Sequence, residues 1–526
     1  MHIFRSLRTH PHRFAVAIIA LTTLIRLIYV ATGQLNLVQD EAQYWDWTRH
    51  PQLSYYSKGP LISWIIALWT SIFGNTELGV RFGSVFNSLL TQSVLYYGIA
   101  WLWKKPTLGL WTLFVFNTMI LFCGLSILMT TDSPLILCYA AFMFALYAAL
   151  RPGDGDPHPT APYVVLALSL ALGTLGKYMM LIVAPQAILY AFSRRRLIQG
   201  DAFRKLLYAL GIGTFLGLLP ILLWNAQNDF VGFKHVAHLS GATGQQAKAF
   251  FRLDRFPDYF GSQIILATPW WLALLFVETY RRLRTSAKKT PDSSPLTSDQ
   301  YTLLFLFLLP LWVFIFFWSF HTKIMPNWVA STYIPGAILA AMAMQRLWSP
   351  DSDRSRWLRY ALPTLALGIF ILAHTFHLLP IPNTYDTTRR VKGWSYLGKT
   401  VEILRLTKFE NPNRVFIFSD QYDMTSALAF YVPGQPQTYC AWVDRRMSQY
   451  DLWPGPDTDK IGWDAILVYK DQDNPTPDND ILLMFQSISE PIYVNTTHDG
   501  RPARKFTAFL CTGYNGYWPN KGAGRF

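Results

Sequence analysis

Long apolar runs are the feature of this sequence that most restricts its fold. A helix needs about 20 mostly apolar residues to cross the hydrocarbon core of a bilayer, and the two runs that meet at Lys177 are short enough to form one long span or two tilted ones. We therefore predict a polytopic α-helical membrane protein with about eleven transmembrane helices. The candidate spans are residues 13–32, 79–102, 107–128, 133–150, 161–176, 178–193, 204–224, 260–280, 301–320, 327–346 and 357–379.

The composition favours a membrane protein over a protein that binds nucleic acid. Only 15% of the residues are charged, whereas soluble proteins carry about a quarter. The net charge of +14 would suit nucleic acid, but the basic residues cluster between apolar runs, as membrane topology requires. No small-residue cleavage site follows the first run, so we predict a retained span rather than a signal peptide.

Lysine and arginine are unequally distributed between the two sets of connecting loops. With a cytoplasmic N-terminus, the inner segments carry 20 of these residues and the outer segments carry 8. The strongest inner markers are "SRRR" at 193–196 and "RRLR" at 281–284. Positive charge prefers the cytoplasmic side, so we predict that the N-terminus is inside and that the chain after residue 380 is outside.

The last part of the chain has a different pattern. Its apolar runs shorten to strand length, one segment reads as a helix, and Pro, Asn, Asp and Gly separate them. We therefore divide the chain into a membrane domain, residues 1–379, and a soluble α/β domain, residues 380–526. The predicted strands are 414–419, 464–470 and 505–512, and the helix is 425–432.

Two of the four cysteines, Cys440 and Cys511, lie in this C-terminal part. A disulfide between them would suit the oxidising side of the membrane. Their spacing alone does not show that they meet.

Ionisable residues gather at the predicted outer ends of the spans. A charge at the centre of a membrane helix costs at least ~2.5 kcal/mol, so such residues are candidates for function. A single charged residue is more simply explained by a position at the membrane–water interface, where the cost of the charge is small. Acids and cations that gather at one rim of the membrane favour a functional site. The candidates are Asp40, Glu41, Lys58, Arg81, Asp132, Lys177, His321 and Lys323.

Charges of both signs at a membrane rim suit transfer from a lipid-linked donor. The lipid would stay in the bilayer while cations bind its phosphate and stabilise the charge that grows as it leaves. A carboxylate would take the proton from an attacking hydroxyl. Tyr44, Tyr55 and Tyr56, with the neighbouring tryptophans, would line the pocket or stack on a sugar, although an aromatic belt explains them equally well.

Four short segments carry a resemblance to a known family. "DEAQYWDW", "SYYSKGPL", "TTDSPL" and "KIMPNW" resemble segments of the bacterial branch of the dolichyl-phosphate-mannose protein mannosyltransferase superfamily. That branch includes the lipid A aminoarabinose transferases, which are membrane glycosyltransferases of the GT-C class. The resemblance covers roughly residues 10–380. It implies an inner-membrane enzyme that transfers one sugar, with inversion, from a polyprenyl-phosphate donor to a glycan, lipid or protein acceptor of the envelope on the periplasmic side.

The resemblance also implies roles for individual residues. Asp40 would be the catalytic base and Asp132 the second acid. Lys58 and Lys323 would bind the lipid phosphate, and Glu41 would be a structural or substrate-binding neighbour of the base. The remaining candidates for substrate binding are Arg81, Lys177, His321, Tyr44, Tyr55 and Tyr56.

The sequence departs from the aminoarabinose transferases around Lys58. Those enzymes tend to carry Glu before this lysine and Pro-Pro after it, whereas Ser57 precedes it here and Gly59-Pro60 follows. Because that glutamate has been linked to a metal in relatives, no cofactor is predicted and a divalent metal is left open. Two alternatives are a lipid-linked sugar transporter, which would need no base, and an O-antigen ligase, which would lack the acid pair.

Overall fold

Apolar helices dominate the first 379 residues, and a mixed sheet follows them. The computed structural model describes residues 9–151, 159–196, 198, 200–239, 256–288, 296–348, 356–379, 381–382, 385–443, 445–470 and 475–519. The α-helices of these segments are α1 (Pro11–Ala31), α2 (Gln39–Thr48), α3 (Leu61–Phe73), α4 (Glu77–Tyr97), α5 (Pro106–Thr118), α6 (Ile120–Leu125), α7 (Asp132–Leu150), α8 (Ala161–Gly176), α9 (Val183–Ser193), α10 (Gly200–Gln227), α11 (Val231–Leu239), α12 (Phe256–Leu266), α13 (Pro269–Lys288), α14 (Ser298–Trp318), α15 (Tyr333–Leu347), α16 (Arg356–Thr375), α17 (Trp394–Lys408), α18 (Tyr422–Tyr431) and α19 (Asn479–Leu482).

Several of these helices have the length and apolar character of membrane spans. Among the described residues, five pass this test alone, and up to seven pass if two bent pairs each count as one span. Helices α8 and α9 are apolar but shorter. The total of about eleven spans stays a prediction, while the polytopic helical architecture is confirmed. The five spans are Pro11–Ala31, Asp132–Leu150, Gly200–Gln227, Ser298–Trp318 and Trp357–Leu378.

Helix α3 corrects the prediction that residues 33–78 form a loop. Its 13 residues are apolar but reach only about 20 Å at 1.5 Å per residue, which is too short to cross a bilayer. Gly74 ends the helix in a left-handed conformation with φ of +73°, and the next helix, α4, leaves at an angle of 120°. The sequence pattern missed α3 because a span-length search does not detect a half-length helix.

The C-terminal part contains one six-stranded sheet with the order β2-β1-β3-β6-β4, in which β5 also pairs with β6. β1, β2 and β3 are parallel, and β6 runs antiparallel to β3. Helices α17 and α18 cover one face. The predicted strands at 414–419, 464–470 and 505–512 and the helix at 425–432 are confirmed, while the boundary at 379/380 stays a prediction. The strands are β1 (Val415–Ser419), β2 (Thr438–Cys440), β3 (Asp464–Lys470), β4 (Phe485–Ile488), β5 (Ile492–His498) and β6 (Arg501–Tyr514).

The suggested disulfide does not form in this fold. Cys440 lies on β2 and Cys511 on β6, and both thiols are free and buried. β1 and β3 lie between these strands, so the two residues are separated by about three strand spacings, or ~14 Å. A disulfide requires Cα atoms within about 7 Å of each other.

The C-terminal part packs directly against the chain that follows α1. Trp45 of α2 meets Phe430 of α18 edge-on, with ring centroids 4.9 Å apart, and both belong to one buried apolar cluster. The Tyr431 hydroxyl accepts a hydrogen bond from the Leu37 backbone at 2.5 Å and donates one to Glu77 at 3.1 Å. These contacts fix α2 between the helical part and the sheet.

Candidate active site

Helix α2 separates the two adjacent acids. Both lie in its first turn, where a negative charge favours the positive end of the helix dipole. Successive residues of a helix point about 100° apart, so Asp40 and Glu41 cannot share one environment. Glu41 is fully buried, whereas Asp40 is solvent-exposed.

Glu41 forms a buried ion pair with Arg81. The shortest contact, from Arg81 Nη2 to Glu41 Oε2, is 2.7 Å. Arg81 Nε also donates to both Glu41 oxygens, at 3.0 and 3.1 Å, while Nη1 donates to the Leu35 carbonyl and Nη2 to the Asn36 carbonyl, each at 2.8 Å. Glu41 also accepts from the backbone of Met129 at 2.8 Å. Since protein contacts occupy both side chains, the structure favours a structural role for them in place of the substrate-binding role predicted from the sequence.

Glu41→Gln should lower the free energy of unfolding by about 3 kcal/mol, because it leaves Arg81 charged and buried without its partner. Thermal unfolding of the purified protein in detergent would measure this. The control is Glu402→Gln, which breaks the more exposed Glu402–Arg405 pair and should cost under about 1 kcal/mol. Equal stability losses in the two variants would contradict the structural role of Glu41.

A second buried ion pair links the start of α7 to the end of α8. Lys177 Nζ donates to Asp132 Oδ1 at 2.7 Å, and Asn327 Nδ2 donates to Asp132 Oδ2 at 2.6 Å. Asp132 is 1% exposed and Lys177 is 9% exposed. The two oxygens of Asp132 are therefore held by neighbouring side chains, which suits a positioning role better than proton transfer.

The loop that carries Lys58 lies close to the Asp132–Lys177 pair, because its backbone packs directly against the end of α8. A Cβ atom on Gly59 would lie 2.0 Å from the carbonyl oxygen of Leu175, so only glycine lets the loop lie against the end of α8. The Lys58 carbonyl accepts from the Tyr55 backbone at 3.1 Å. Its ammonium group has no hydrogen bond or ion pair among the described residues. Burial, followed by the positive charge of Lys177, lowers the pKa of Lys58.

Asp40 is the carboxylate left without a partner in this cluster. Within the described segments its side chain makes no hydrogen bond and no ion pair. Although its surface is solvent-accessible, enough protein surrounds it that desolvation raises its pKa, while the positive charge of Lys58 opposes that rise. A carboxylate with a raised pKa and free oxygens is suited to accept a proton.

The three candidate tyrosines lie in different environments. Tyr44 lies four residues after Asp40 on α2 and so on the same face of that helix, and burial, and then the negative charge of Asp40, raises the pKa of Tyr44 well above its usual value. Tyr55 is fully buried, stacks on Trp47 with centroids 4.4 Å apart and donates to the Trp47 carbonyl. Tyr56 is 3% exposed and packs on His235. All three tyrosines are buried, so it is the position of Tyr44 on the Asp40 face of α2 that keeps it a candidate for substrate contact, while the ring contacts of Tyr55 and Tyr56 favour packing roles.

The late loop reaches the cluster through a residue that was not predicted. Asn327 contacts Asp132, whereas Lys323 is exposed and the described contacts of the cluster do not include it. His321 packs on Trp318, with ring centroids 4.9 Å apart. Of the quoted segment "KIMPNW", the asparagine therefore contacts the cluster, and the phosphate-binding role of Lys323 stays a prediction.

The C-terminal part contributes further residues that sequence reasoning missed. The Arg446 guanidinium lies 6.0 Å from the ring centroid of Tyr422, and its positive charge acts on both Asp40 and Lys58. Asp423 forms an ion pair with Lys470. No local motif marks these residues, because they meet the site only through the packing of α18 on α2.

Comparison with known proteins identifies the proteins that this chain resembles. Residues 57–224 match the dolichyl-phosphate-mannose-protein mannosyltransferase family. The lipid A galacturonosyltransferase RgtD of Rhizobium johnstonii is 25% identical over 418 residues, which cover 78% of this chain and 80% of that protein. The chain is a glycosyltransferase that resembles the ArnT-like enzymes of the GT-C class.

Two further proteins are similar to this chain. The undecaprenyl phosphate-alpha-4-amino-4-deoxy-L-arabinose arabinosyl transferase 2 of Proteus mirabilis is 23% identical, over 64% of this glycosyltransferase and 60% of that relative. The crystal structure of ArnT from Cupriavidus metallidurans bound to undecaprenyl phosphate superposes with a TM-score of 0.64 at 14% identity, covering 94% and 98% of the two chains. At this identity, the likeness establishes the fold alone.

The residues of this glycosyltransferase do not fit a metal site. Among the described residues, no three His, Cys, Asp or Glu side chains come together as a ligand set. Asp132 is occupied by Lys177 and Asn327, and Ser57 stands where relatives carry glutamate. We therefore derive no catalytic step through a metal.

Proposed function

We propose that this inner-membrane glycosyltransferase transfers one sugar from a polyprenyl-phosphate donor to a hydroxyl of an envelope lipid or glycan, with inversion. The observation that carries this proposal is the Asp40 carboxylate with the nearby Lys58 ammonium, neither of which has a hydrogen bond or ion pair from its charged group within the described residues. A base and a phosphate-binding cation are the two groups that such a displacement requires. The names of the relatives, which act on lipid A or use undecaprenyl phosphate, support the same classes of donor and acceptor.

The proposed reaction is a single displacement at the anomeric carbon. The acceptor oxygen attacks that carbon while Asp40 takes its proton, so one C–O bond forms as the bond to the phosphate oxygen breaks. The bonding electrons leave with the phosphate, and Lys58 stabilises the added negative charge. Asp132 holds Lys177 beside Lys58 and so orients the cationic side of the site.

The proposed orientation follows from the basic loops. The N-terminus would be cytoplasmic, and residues 380–526 would lie in the periplasm. The site would then face the periplasm, at the depth where a lipid phosphate emerges from the bilayer. The lipid chain could remain in the membrane during transfer.

The test is release of free polyprenyl phosphate by the purified protein in nanodiscs. A panel of polyprenyl-phosphate sugars would be supplied with total envelope extract as acceptor, and release would be followed by mass spectrometry. Release that requires the extract would support transfer. Donor binding without release in the presence of the extract would favour a transporter and contradict the proposal.

The pH dependence of sugar transfer should reflect the raised pKa of the Asp40 carboxyl group. The base acts only when deprotonated, so activity falls as the pH drops through its pKa. Because the pKa of Asp40 is raised, the acidic limb of kcat/KM should lie above the usual aspartate value of about 4. The charged groups that act on Asp40 are Lys58, Asp423, Arg446 and Glu41. An acidic limb at or below pH 4 would contradict the role of Asp40.

A further inference from the structure

The C-terminal segment Arg445–Asp451, which carries Arg446, is fixed to the loop that carries Lys58. The Tyr56 backbone donates to Gln449 Oε1 at 2.7 Å, and the Tyr450 hydroxyl donates to Asp46 at 2.6 Å. Met447 packs in one buried cluster with Tyr56. The segment is therefore held both against α2, which supplies the proposed base, and against the loop that supplies the phosphate-binding cation.

Within this segment, Arg446 is held outward by its neighbours. Arg445 and Met447 are only 8% and 6% exposed, whereas Arg446 is exposed. Arg445 donates to both oxygens of Asp451, at 2.8 and 2.6 Å, and to the Arg446 carbonyl at 3.0 Å. These bonds fix the backbone while the Arg446 guanidinium stands over the ring of Tyr422.

The charges around Arg446 do not balance. Asp132, Glu41 and Asp423 are each paired with a cation of their own. Asp40, Lys58 and Arg446 remain, and none of them has an ion pair within the described part of the chain. Among these described residues, the positive charges therefore outnumber the negative charges by one.

The two cations that act on Asp40 are held by different parts of the protein. Lys58 adjoins the Asp132–Lys177 pair of the helical part, where the lipid phosphate would emerge. Arg446 adjoins Tyr422 of the C-terminal part. A single departing phosphate at Lys58 would leave Arg446 available for a different anion.

We infer that Arg446 binds an anionic group of the substrates that is separate from the departing phosphate. The group is a carboxylate on the transferred sugar or a phosphate on the acceptor lipid, since the planar guanidinium can donate two parallel hydrogen bonds to either. This inference rests on the proposed function. A relative named as a lipid A galacturonosyltransferase is consistent with either source, because galacturonate carries a carboxylate and lipid A carries phosphates.

The test compares charged and neutral substrates in the full-length protein. The donors are polyprenyl-phosphate galacturonate and polyprenyl-phosphate galactose, and the acceptors are lipid A and dephosphorylated lipid A. Arg446→Gln should raise KM about tenfold or more for the substrate that carries the bound anion, with little change for its neutral counterpart. Arg446→Lys should restore only part of the loss, because lysine lacks the planar fork. Arg414→Gln removes an exposed arginine elsewhere in the C-terminal part and should behave as wild type.

The donor pair and the acceptor pair identify the source of the anion. Discrimination only between the donors assigns Arg446 to a sugar carboxylate, and discrimination only between the acceptors assigns it to an acceptor phosphate. The inference would be overturned if Arg446→Gln affected the charged and neutral members of both pairs equally. It would also be overturned if Arg446→Gln had the kinetics of the wild type on every substrate. A third contradicting result is a wild-type enzyme that uses only the neutral substrates. If the wild type releases no polyprenyl phosphate with any donor and acceptor, the proposed function itself fails.

Discussion

Asp40→Asn should lower sugar transfer by about three orders of magnitude while leaving the fold intact. Asparagine keeps the size of the side chain but cannot accept the proton of the acceptor hydroxyl. Because Asp40 is exposed and makes no hydrogen bond or ion pair among the described residues, its replacement leaves no buried group without a partner. The rate of polyprenyl phosphate release and the midpoint of thermal unfolding would measure the two effects separately.

A matched control separates the loss of the base from the loss of a surface charge. Asp457→Asn makes the same chemical change at an exposed position of the C-terminal part and should retain wild-type turnover. Near-normal transfer by Asp40→Asn in the same assay would rule out Asp40 as the base. Asp132, the other acid that the sequence predicted, is too fully hydrogen-bonded to take its place readily.

Lys58→Gln should reduce kcat by about a hundredfold. The ammonium group makes no bond within the described residues, so its charge is available to the departing phosphate, whose negative charge increases during the reaction. The effect on kcat should exceed the effect on donor binding, because the interaction strengthens as the phosphate leaves. Lys58→Arg keeps the positive charge and should retain more activity than the glutamine variant.

Lys399→Gln controls for the loss of one positive charge. Lys399 is exposed on α17, and its variant should match the wild type in both kcat and donor affinity. A Lys58→Gln enzyme whose kcat is unchanged would show that another group stabilises the departing phosphate. An unfolding midpoint well below that of Lys399→Gln would instead indicate that Lys58 supports the fold.

The contrast between Asp40 and Glu41 explains why neighbouring acids need different tests. Glu41 is bound on all sides by Arg81 and backbone donors, so its loss should appear mainly in stability. Asp40 has no such bonds, so its loss should appear mainly in turnover. Lys177 and Lys58 differ in the same way. Lys177 pairs with Asp132, so its loss should appear mainly in stability, whereas the loss of Lys58 should appear mainly in turnover.

The sequence by itself determined the class of fold and most of its elements. Apolar runs of span length predict membrane helices, and short apolar runs between turn residues predict strands, because both patterns depend on residues close together in the chain. The helix at 132–150 and the strand at 464–470 were found within one residue in this way. The sequence also predicted Asp40 and Lys58 at one rim of the membrane, because both lie in one connecting segment between predicted spans.

Only the tertiary structure decided how the charged residues pair. Glu41 is 40 residues from Arg81, Asp132 is 195 residues from Asn327, and neither pairing leaves a local signal. Arg446 joins the site only because α18 packs on α2 and fixes the following segment over Tyr56. Contacts between distant elements depend on how helices and sheet pack together, which no short sequence pattern encodes.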